Sequence, residues 1–355
     1  MPDVTRLTLA DILAASAGYV GFVAILFVGS LLLPGPVREG ALRPDGTRQR
    51  YKLNGLALFV ATLVLAAVAQ LHGWSLAVIL HVLPALALAA NVFAFSAAFL
   101  LLGRSPQRHR LRDYLLGSQR DPTLLGIDLK LFSYRPSLIG LMLINLSTAA
   151  AELAERGHLS LAMALYQALF LVYIANYFQF ERGMLFTWDI TEERFGLMLI
   201  WGDYVLVPFF YCLPGLWLLF HPHDLAPTAA LGVAALFCAG FWLFRGANQQ
   251  KHRFRQNPDA LIWGRRAETL GGRLLVSGFW GIGRKLNYTG EICIYTAFAM
   301  TAGFSSPVPY LVALWLGTLL VHRAWRDDKR CRAKYGTLWE AYCRRVRFRM
   351  VPFIY

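Results

Sequence analysis

The sequence predicts an all-α, polytopic integral membrane protein, on three observations. Apolar residues fall in runs such as ILAASAGYVGFVAILFVGSLLL and LALFVATLVLAAVA, and about 20 apolar residues in a row suffice to cross a bilayer core. The 355 residues are 57% hydrophobic and only 16% charged, where soluble domains carry about 25% charged residues. The net charge of +14 is gathered mainly into two segments, 245–285 and 322–349.

Taken in chain order, spans are expected over 9–33, 54–72, 75–102, 136–155, 159–180, 196–219, 226–244, 288–304 and 306–321. The first is too long for a signal-peptide core and no small-residue cleavage site follows it, so it is expected to be retained. The connector LPGPVREGALRPDGTRQRYKLNG (33–55) mixes Pro, Gly and charges, with a turn at Asp45-Gly46. Residues 103–136 are expected to form a long loop whose recurrent Leu, Tyr and Phe argue against disorder. The less apolar stretch 261–285 is expected to be a short re-entrant or interfacial helix.

Between and within the interior spans lie Glu181, Arg182, Asp189, Glu192, Glu193, Arg194 and Asp203. An ionisable residue at membrane depth is expensive and marks a cavity or pathway by default. Glu181 and Asp203 fit that reading best. The plainer alternatives are an ion pair for Glu181, a helix cap or interfacial place for Asp189, and a buried pair for Asp203.

By the positive-inside rule both basic segments face the cytoplasm. Nucleic acid would also suit basic aromatic patches, but these are attached to membrane spans, so no nucleic-acid partner is expected. The five cysteines show no metal-type pairing and read as free thiols facing a reducing compartment. HPHD at 221–224 lacks an evident third ligand, so no metal is expected. The Ala, Leu and Arg bias, with no soluble amino-terminal domain, favours a bacterial inner membrane; in a eukaryote the endoplasmic reticulum would be the place. The oligomeric state is left open.

The carboxy-terminal third carries the densest chemistry. Lys251 and Arg255 lie one helical turn apart, followed by Arg265, Arg266, Arg273, Trp280, Arg284, Lys285, Asn287 and Tyr288. In the last apolar stretch and its extension, Arg323, Asp327, Arg330 and Lys334 make a one-face stripe beside Tyr335. Arg and Lys suit phosphate, and Trp and Tyr suit stacking on flat rings. No Rossmann G-x-G-x-x-G or Walker loop is present. The residues alone therefore leave two readings: a nucleotide-binding wall on a helical membrane fold, or a polybasic face on anionic lipid headgroups.

GPVREGALRPDGTRQRYKLNG, WDITEERFGLMLIWGDYVLVPFFY, LLVSGFWGIGRKLNYTGE and HRAWRDDKRCRAKYGTLWEAYCRRVRFRMVPFIY resemble the sterol reductase family. That family includes the sterol C14, C24(28) and 7-dehydrocholesterol reductases and the membrane part of the lamin B receptor. The resemblance runs from about residue 30 to the end. It implies one membrane domain over 1–355 with about ten membrane helices, in which 1–244 form the bundle and sterol-side half and 245–355 an NADPH-binding half on the cytoplasmic side. The cofactor contacts it implies are Lys251, Arg255, Leu275, Trp280, Asn287, Tyr288 and Asp327, then Cys331, Arg332, Ala333, Lys334, Tyr335 and Tyr342.

The implied reaction is NADPH-dependent reduction of a sterol carbon–carbon double bond. An electron-rich alkene must be protonated before a hydride can add, so a positioned acid is needed. The candidates are Asp327 with Arg323, Glu181 and Asp189. In ANYFQFERGMLFTWDI the family more commonly has Asp at Asn176, a polar or Tyr residue at Phe180, and an acidic or small residue at Arg182. Those departures leave the proton relay and the choice of double bond open. Two alternatives remain: an S-adenosylmethionine-dependent methyltransferase of the isoprenylcysteine carboxyl methyltransferase type, whose plan GRKLNYTG and KYGTLWEAYCRRV also fit, and a non-catalytic sterol-binding homologue. The connector at 33–55 and the length of the apolar half favour the reductase.

Overall fold

The computed structural model describes residues 8–43, 46–103 and 110–355, and in them it is helical apart from four short hairpins. Asp45, expected in a turn with Gly46, lies outside the described residues, as does 104–109 of the second connector. The chain divides into two compact units, Met1–His221 and Pro222–Tyr355.

In the first unit α1 (Leu9–Leu32) opens on a capping box, the Thr8 side chain and Asp11 each accepting from the other's backbone. Apolar on every side, it leaves Leu13, Ile25 and Leu32 exposed, as a lipid-facing helix does. The hairpin of β1 (Val37–Leu42) and β2 (Arg48–Lys52) returns the chain to α2 (Gly55–Leu71). The Asn54 amide donates to the carbonyls of Ser30 (3.0 Å) and Leu33 (2.9 Å), satisfying groups that the end of α1 leaves open. After α3 (Leu83–Leu102) come a short helix (Arg110–Leu116) and the hairpin of β3 (Thr123–Leu124) and β4 (Ile127–Asp128).

The 103–136 connector is therefore not loop throughout. Helix α4 (Leu129–Arg156) starts seven residues before the expected span because Asp128 caps it, its carboxylate accepting from the Leu131 N–H at 2.9 Å. Pro136 is carried inside this helix, and Gly157, at φ 75°, ends it. Helix α4 is the most buried of the long helices and packs against α1, α2, α5 (Leu161–Gln179) and α6 (Leu197–Phe220).

Helix α6 contains a π turn at Gly202–Leu206. Pro208 has no N–H, so the Tyr204 carbonyl one turn back cannot receive its usual helical bond; the Tyr19 hydroxyl donates to it instead, at 2.9 Å.

In the second unit α7 (Pro227–Gln256) lies along α8 (Leu286–Met300). They approach where Gly240 faces Gly290: a Cβ on Gly290 would sit 2.5 Å from the Gly240 carbonyl oxygen. Helix α9 (Leu311–Tyr335) ends at Gly336 (φ 53°), and α10 (Thr337–Arg345) turns back. The 261–285 stretch is not chiefly a helix. It holds the hairpins of β5 (Leu261–Ile262) with β6 (Arg265–Arg266) and β7 (Thr269–Leu270) with β8 (Leu274–Leu275), then one four-residue helix, Phe279–Ile282. Gly264, Gly271 and Gly272 all have positive φ, which interrupts a helical path.

Among the described residues seven helices are long and apolar enough to cross a membrane: α1, α3, α4, α5, α6, α7 and α9 with the turn before it. The number is about seven rather than ten. The expected 75–102 span breaks into Val78–His81 and α3, which still counts, whereas the expected 54–72 and 288–304 spans are the 17-residue α2 and the 15-residue α8, about 25 Å and 22 Å long and short of a bilayer core. The protein is a multi-pass integral membrane protein.

Candidate functional site

Three consecutive residues of α4 organise the first unit, each holding one carboxylate. Ser133 donates its hydroxyl to Asp203, Tyr134 to Asp189 at 3.1 Å, and Arg135 grips Glu181 through Nε (3.2 Å) and Nη2 (3.0 Å). Arg135 also reaches the Ser30 hydroxyl (2.6 Å) and the Lys52 carbonyl (2.9 Å), while the other Glu181 oxygen accepts from the Gly55 N–H at 3.0 Å. Glu181 thus has the ion pair weighed for it, with Arg135 rather than Arg182 as partner. Lys130, fully buried one turn earlier, donates to the carbonyls of Ile190 (2.7 Å) and Glu193 (3.1 Å) and pairs with Asp121 at 3.1 Å.

Asp203 sits in the π turn of α6, buried. No cation pairs with it among the described residues. The Tyr177 hydroxyl is buried without a hydrogen-bond partner among the described residues, within electrostatic reach of Glu181, Asp203 and Asp189. At the start of α4 the second Asp128 oxygen is likewise buried and unpartnered. Asp128 lines a cavity of about 10 Å³ with Tyr51, Lys52 and Arg135, about the space one water needs. Burial pushes the Asp128 carboxyl up to about 6, against the pull of the Leu131 N–H and Lys130.

The second unit brings together much of the basic and aromatic constellation. Lys251 on α7 lies over the Trp280 ring at 4.6 Å, a cation–π distance. Trp280 donates its indole N–H to the Ala247 carbonyl (2.8 Å), and the Tyr342 hydroxyl donates to the Trp280 carbonyl (3.2 Å). Leu275 and Trp280 are buried with Phe254 and Phe279; Tyr342 is buried against Trp339, with Cys331 and Tyr335 packed on that cluster. The Asn287 amide donates to Asn248 at 3.2 Å, leaving its own carbonyl oxygen buried and unpartnered.

Lys285 is ion-paired with Asp327. Burial works against the Lys285 charge, but Asp327 and Tyr288 outweigh it and hold the ammonium above its ordinary range. Lys251, Lys285, Arg255, Asp327 and Cys331 share one electrostatic neighbourhood. Arg255, Arg332, Ala333 and Lys334 are exposed, and Tyr288 and Arg323 are half-buried.

Arg135 and Tyr177 are the residues that sequence reasoning missed. Arg135 fell at the end of an apparent loop, and Tyr177 looked like one more aromatic of an apolar helix; its four-residue spacing from Glu181 was the available signal.

The fold and these two groups of residues define a multi-pass membrane protein with a buried carboxylate–hydroxyl network in one unit and a cationic, ring-lined wall in the other. The chain belongs to the ergosterol biosynthesis ERG4/ERG24 family, whose model matches residues 14–355. It is 40% identical to a Delta(14)-sterol reductase of Methylotuvimicrobium alcaliphilum over 94% of this chain and 83% of that protein. It is 38% identical to a Delta(14)-sterol reductase of Arabidopsis thaliana over 95% of each. A 7-dehydrocholesterol reductase of Xenopus laevis is 34% identical over 90% of this chain and 73% of its own length.

Proposed function

We propose that this protein reduces a carbon–carbon double bond of a sterol with NADPH, and that a Δ14 sterol is a substrate. The observation that carries this reading is the near full-length similarity to proteins named Delta(14)-sterol reductase. The sterol enters from the bilayer, and the second unit faces the cytoplasm of a bacterial inner membrane, where its basic segments belong.

The second unit's residues fit NADPH. The unpartnered Asn287 oxygen suits a carboxamide or hydroxyl donor. Lys251 and the exposed Arg255 suit phosphate, with Arg332 and Lys334 at the rim. Trp280, Tyr288 and Tyr335 offer ring faces, and Leu275, Cys331 and Ala333 line the apolar parts. Buried Tyr342 supports Trp280 from behind. Bound there, NADPH supplies a hydride.

The protein's own work is to hold the sterol in a dry bundle and to deliver a proton first, since the alkene is not an electrophile. Of the acids considered, Asp327 is held by Lys285 and Glu181 by Arg135. Those pairs suit positioning, as Arg323 beside Asp327 would. Asp189, half-buried on Tyr134, lies in a connector between spans.

Purified protein in detergent tests the reading with Δ7, Δ14, Δ24 and Δ24(28) sterols. The expected result is NADPH consumption dependent on the Δ14 sterol, with a product two hydrogens heavier. Binding of S-adenosylmethionine without NADPH binding would refute it and promote the methyltransferase.

A further inference from the structure

Resting on the sterol-reduction reading, we infer that Asp203 is the proton source for the alkene and that the Tyr177 hydroxyl relays its proton. Of the buried carboxyls in the first unit, Glu181 is committed to a guanidinium and a backbone N–H. Asp203 is held by a hydroxyl, with no cation beside it among the described residues. A guanidinium stabilises a carboxylate; a hydroxyl partner leaves the carboxyl able to carry a proton.

The backbone supplies an independent observation. Asp203 lies in a π turn, a deviation concentrated at functional positions, and this one is bordered by Pro208 and fixed by the Tyr19 hydroxyl on the Tyr204 carbonyl. A buried hydroxyl without a partner is a third. Tyr177 has a proton to give and a lone pair to receive one, and Asp203 is among the carboxyls whose charge acts on it, without a direct hydrogen bond between the two.

The step balances. The Tyr177 O–H bond breaks as the alkene π pair forms a C–H bond, leaving a tertiary cation at the other carbon. Asp203 passes its proton to the Tyr177 oxygen through an intervening water and becomes a carboxylate. The cation would take a hydride, with its electron pair, from a reduced nicotinamide held by the second unit's residues, and water would reprotonate Asp203, leaving hydroxide. The carboxylate left behind also stabilises the cation while it lasts.

The test uses the full-length protein in detergent, as wild type, Asp203→Asn, Asp203→Glu and Tyr177→Phe. Affinity is measured without NADPH for a neutral Δ14 sterol and for an analogue with a protonated amine at the cation's position. Asp203→Asn is expected to weaken the ammonium analogue by about 10- to 100-fold, the worth of a charge-assisted contact, and to leave the neutral sterol unchanged. With NADPH its kcat is expected to fall by about 100-fold or more. Asp203→Glu keeps the ammonium preference. Tyr177→Phe loses kcat but keeps the preference for the ammonium analogue.

Equal loss of both ligands in Asp203→Asn, or wild-type turnover in either Asp203→Asn or Tyr177→Phe, overturns the assignment. A wild type that reduces no sterol overturns the functional reading instead, and the two affinities still decide whether Asp203 faces a cation in the sterol cavity.

Discussion

Replacing Arg135 by methionine removes a guanidinium that makes four hydrogen bonds to three groups at once. Two of its hydrogen bonds go to Glu181, one to the Ser30 hydroxyl and one to the Lys52 carbonyl, and the side chain is 2% exposed. Glu181, 5% exposed at its side chain, would keep only the Gly55 N–H. Breaking a buried ion pair from one side costs about 3–5 kcal/mol, because the remaining charge is left uncompensated. The lost bonds to Ser30 and Lys52 add about 1 kcal/mol each. Arg135→Met is therefore expected to lose about 5 kcal/mol or more. A double variant, Arg135→Met with Glu181→Leu, removes both charges and is expected to lose only about 1–2 kcal/mol, since buried pairs replaced by apolar groups are often near neutral. The difference is a coupling energy of several kcal/mol, read from a double-mutant cycle of unfolding in mixed micelles. If Arg135→Met alone loses less than about 1 kcal/mol, the level of an exposed pair, the buried-anchor reasoning is wrong.

Asp128 makes stability depend on pH. Its folded-state value of about 6 lies above the ordinary carboxyl value of about 3.9, so the folded state binds the proton more tightly and this contribution is full below pH 4 and lost as pH rises through 6. Two pH units correspond to about 3 kcal/mol, and Asp128→Asn should flatten unfolding midpoints across that window. Lys251→Met removes the proposed phosphate partner and the cation over Trp280; on that proposal the Kd for NADPH should rise about 10- to 100-fold by titration, with little change in thermal unfolding. Gly290→Ala places a methyl 2.5 Å from both the Gly240 carbonyl oxygen and the Phe244 nitrogen. Backbone cannot yield as a side-chain tip can, so thermal unfolding in detergent should show a loss of about 1–3 kcal/mol.

Hydropathy made the membrane class legible, because length and apolarity are what a bilayer selects. It served less well where the chain is both helical and polar. Lys130, Ser133 and Arg135 are all 1% exposed or less, yet in sequence they read as the tail of a charged connector. Their burial is compensated by groups distant in sequence: carbonyls of 190 and 193, and the carboxylates of Asp203 and Glu181. No local window contains those partners, so helix α4 was placed seven residues too late. The error in the helix number has a different origin. Apolar stretches at 54–72 and 288–304 have the composition of spans but stay helical for only 17 and 15 residues.

The second unit was the more legible because its chemistry is written in residue types. Lys, Arg, Trp and Tyr at one-turn spacings suit a nucleotide or an anionic lipid headgroup surface whatever the fold, and the structure gathers Lys251, Trp280, Lys285 and Asp327 from three helices and a connector. In the first unit the proposed proton source depends on which carboxylate is neutralised, and that is a matter of partners rather than of composition. Glu181 and Asp203 looked alike in sequence, each a lone acid near apolar residues. A guanidinium on one and a hydroxyl on the other separates them, and both partners come from a single turn of α4. The same short segment therefore anchors the bundle through Arg135 and holds the proposed proton source, Asp203, through Ser133. Stability and chemistry can be altered independently there only because successive side chains on a helix point about 100° apart, toward different neighbours.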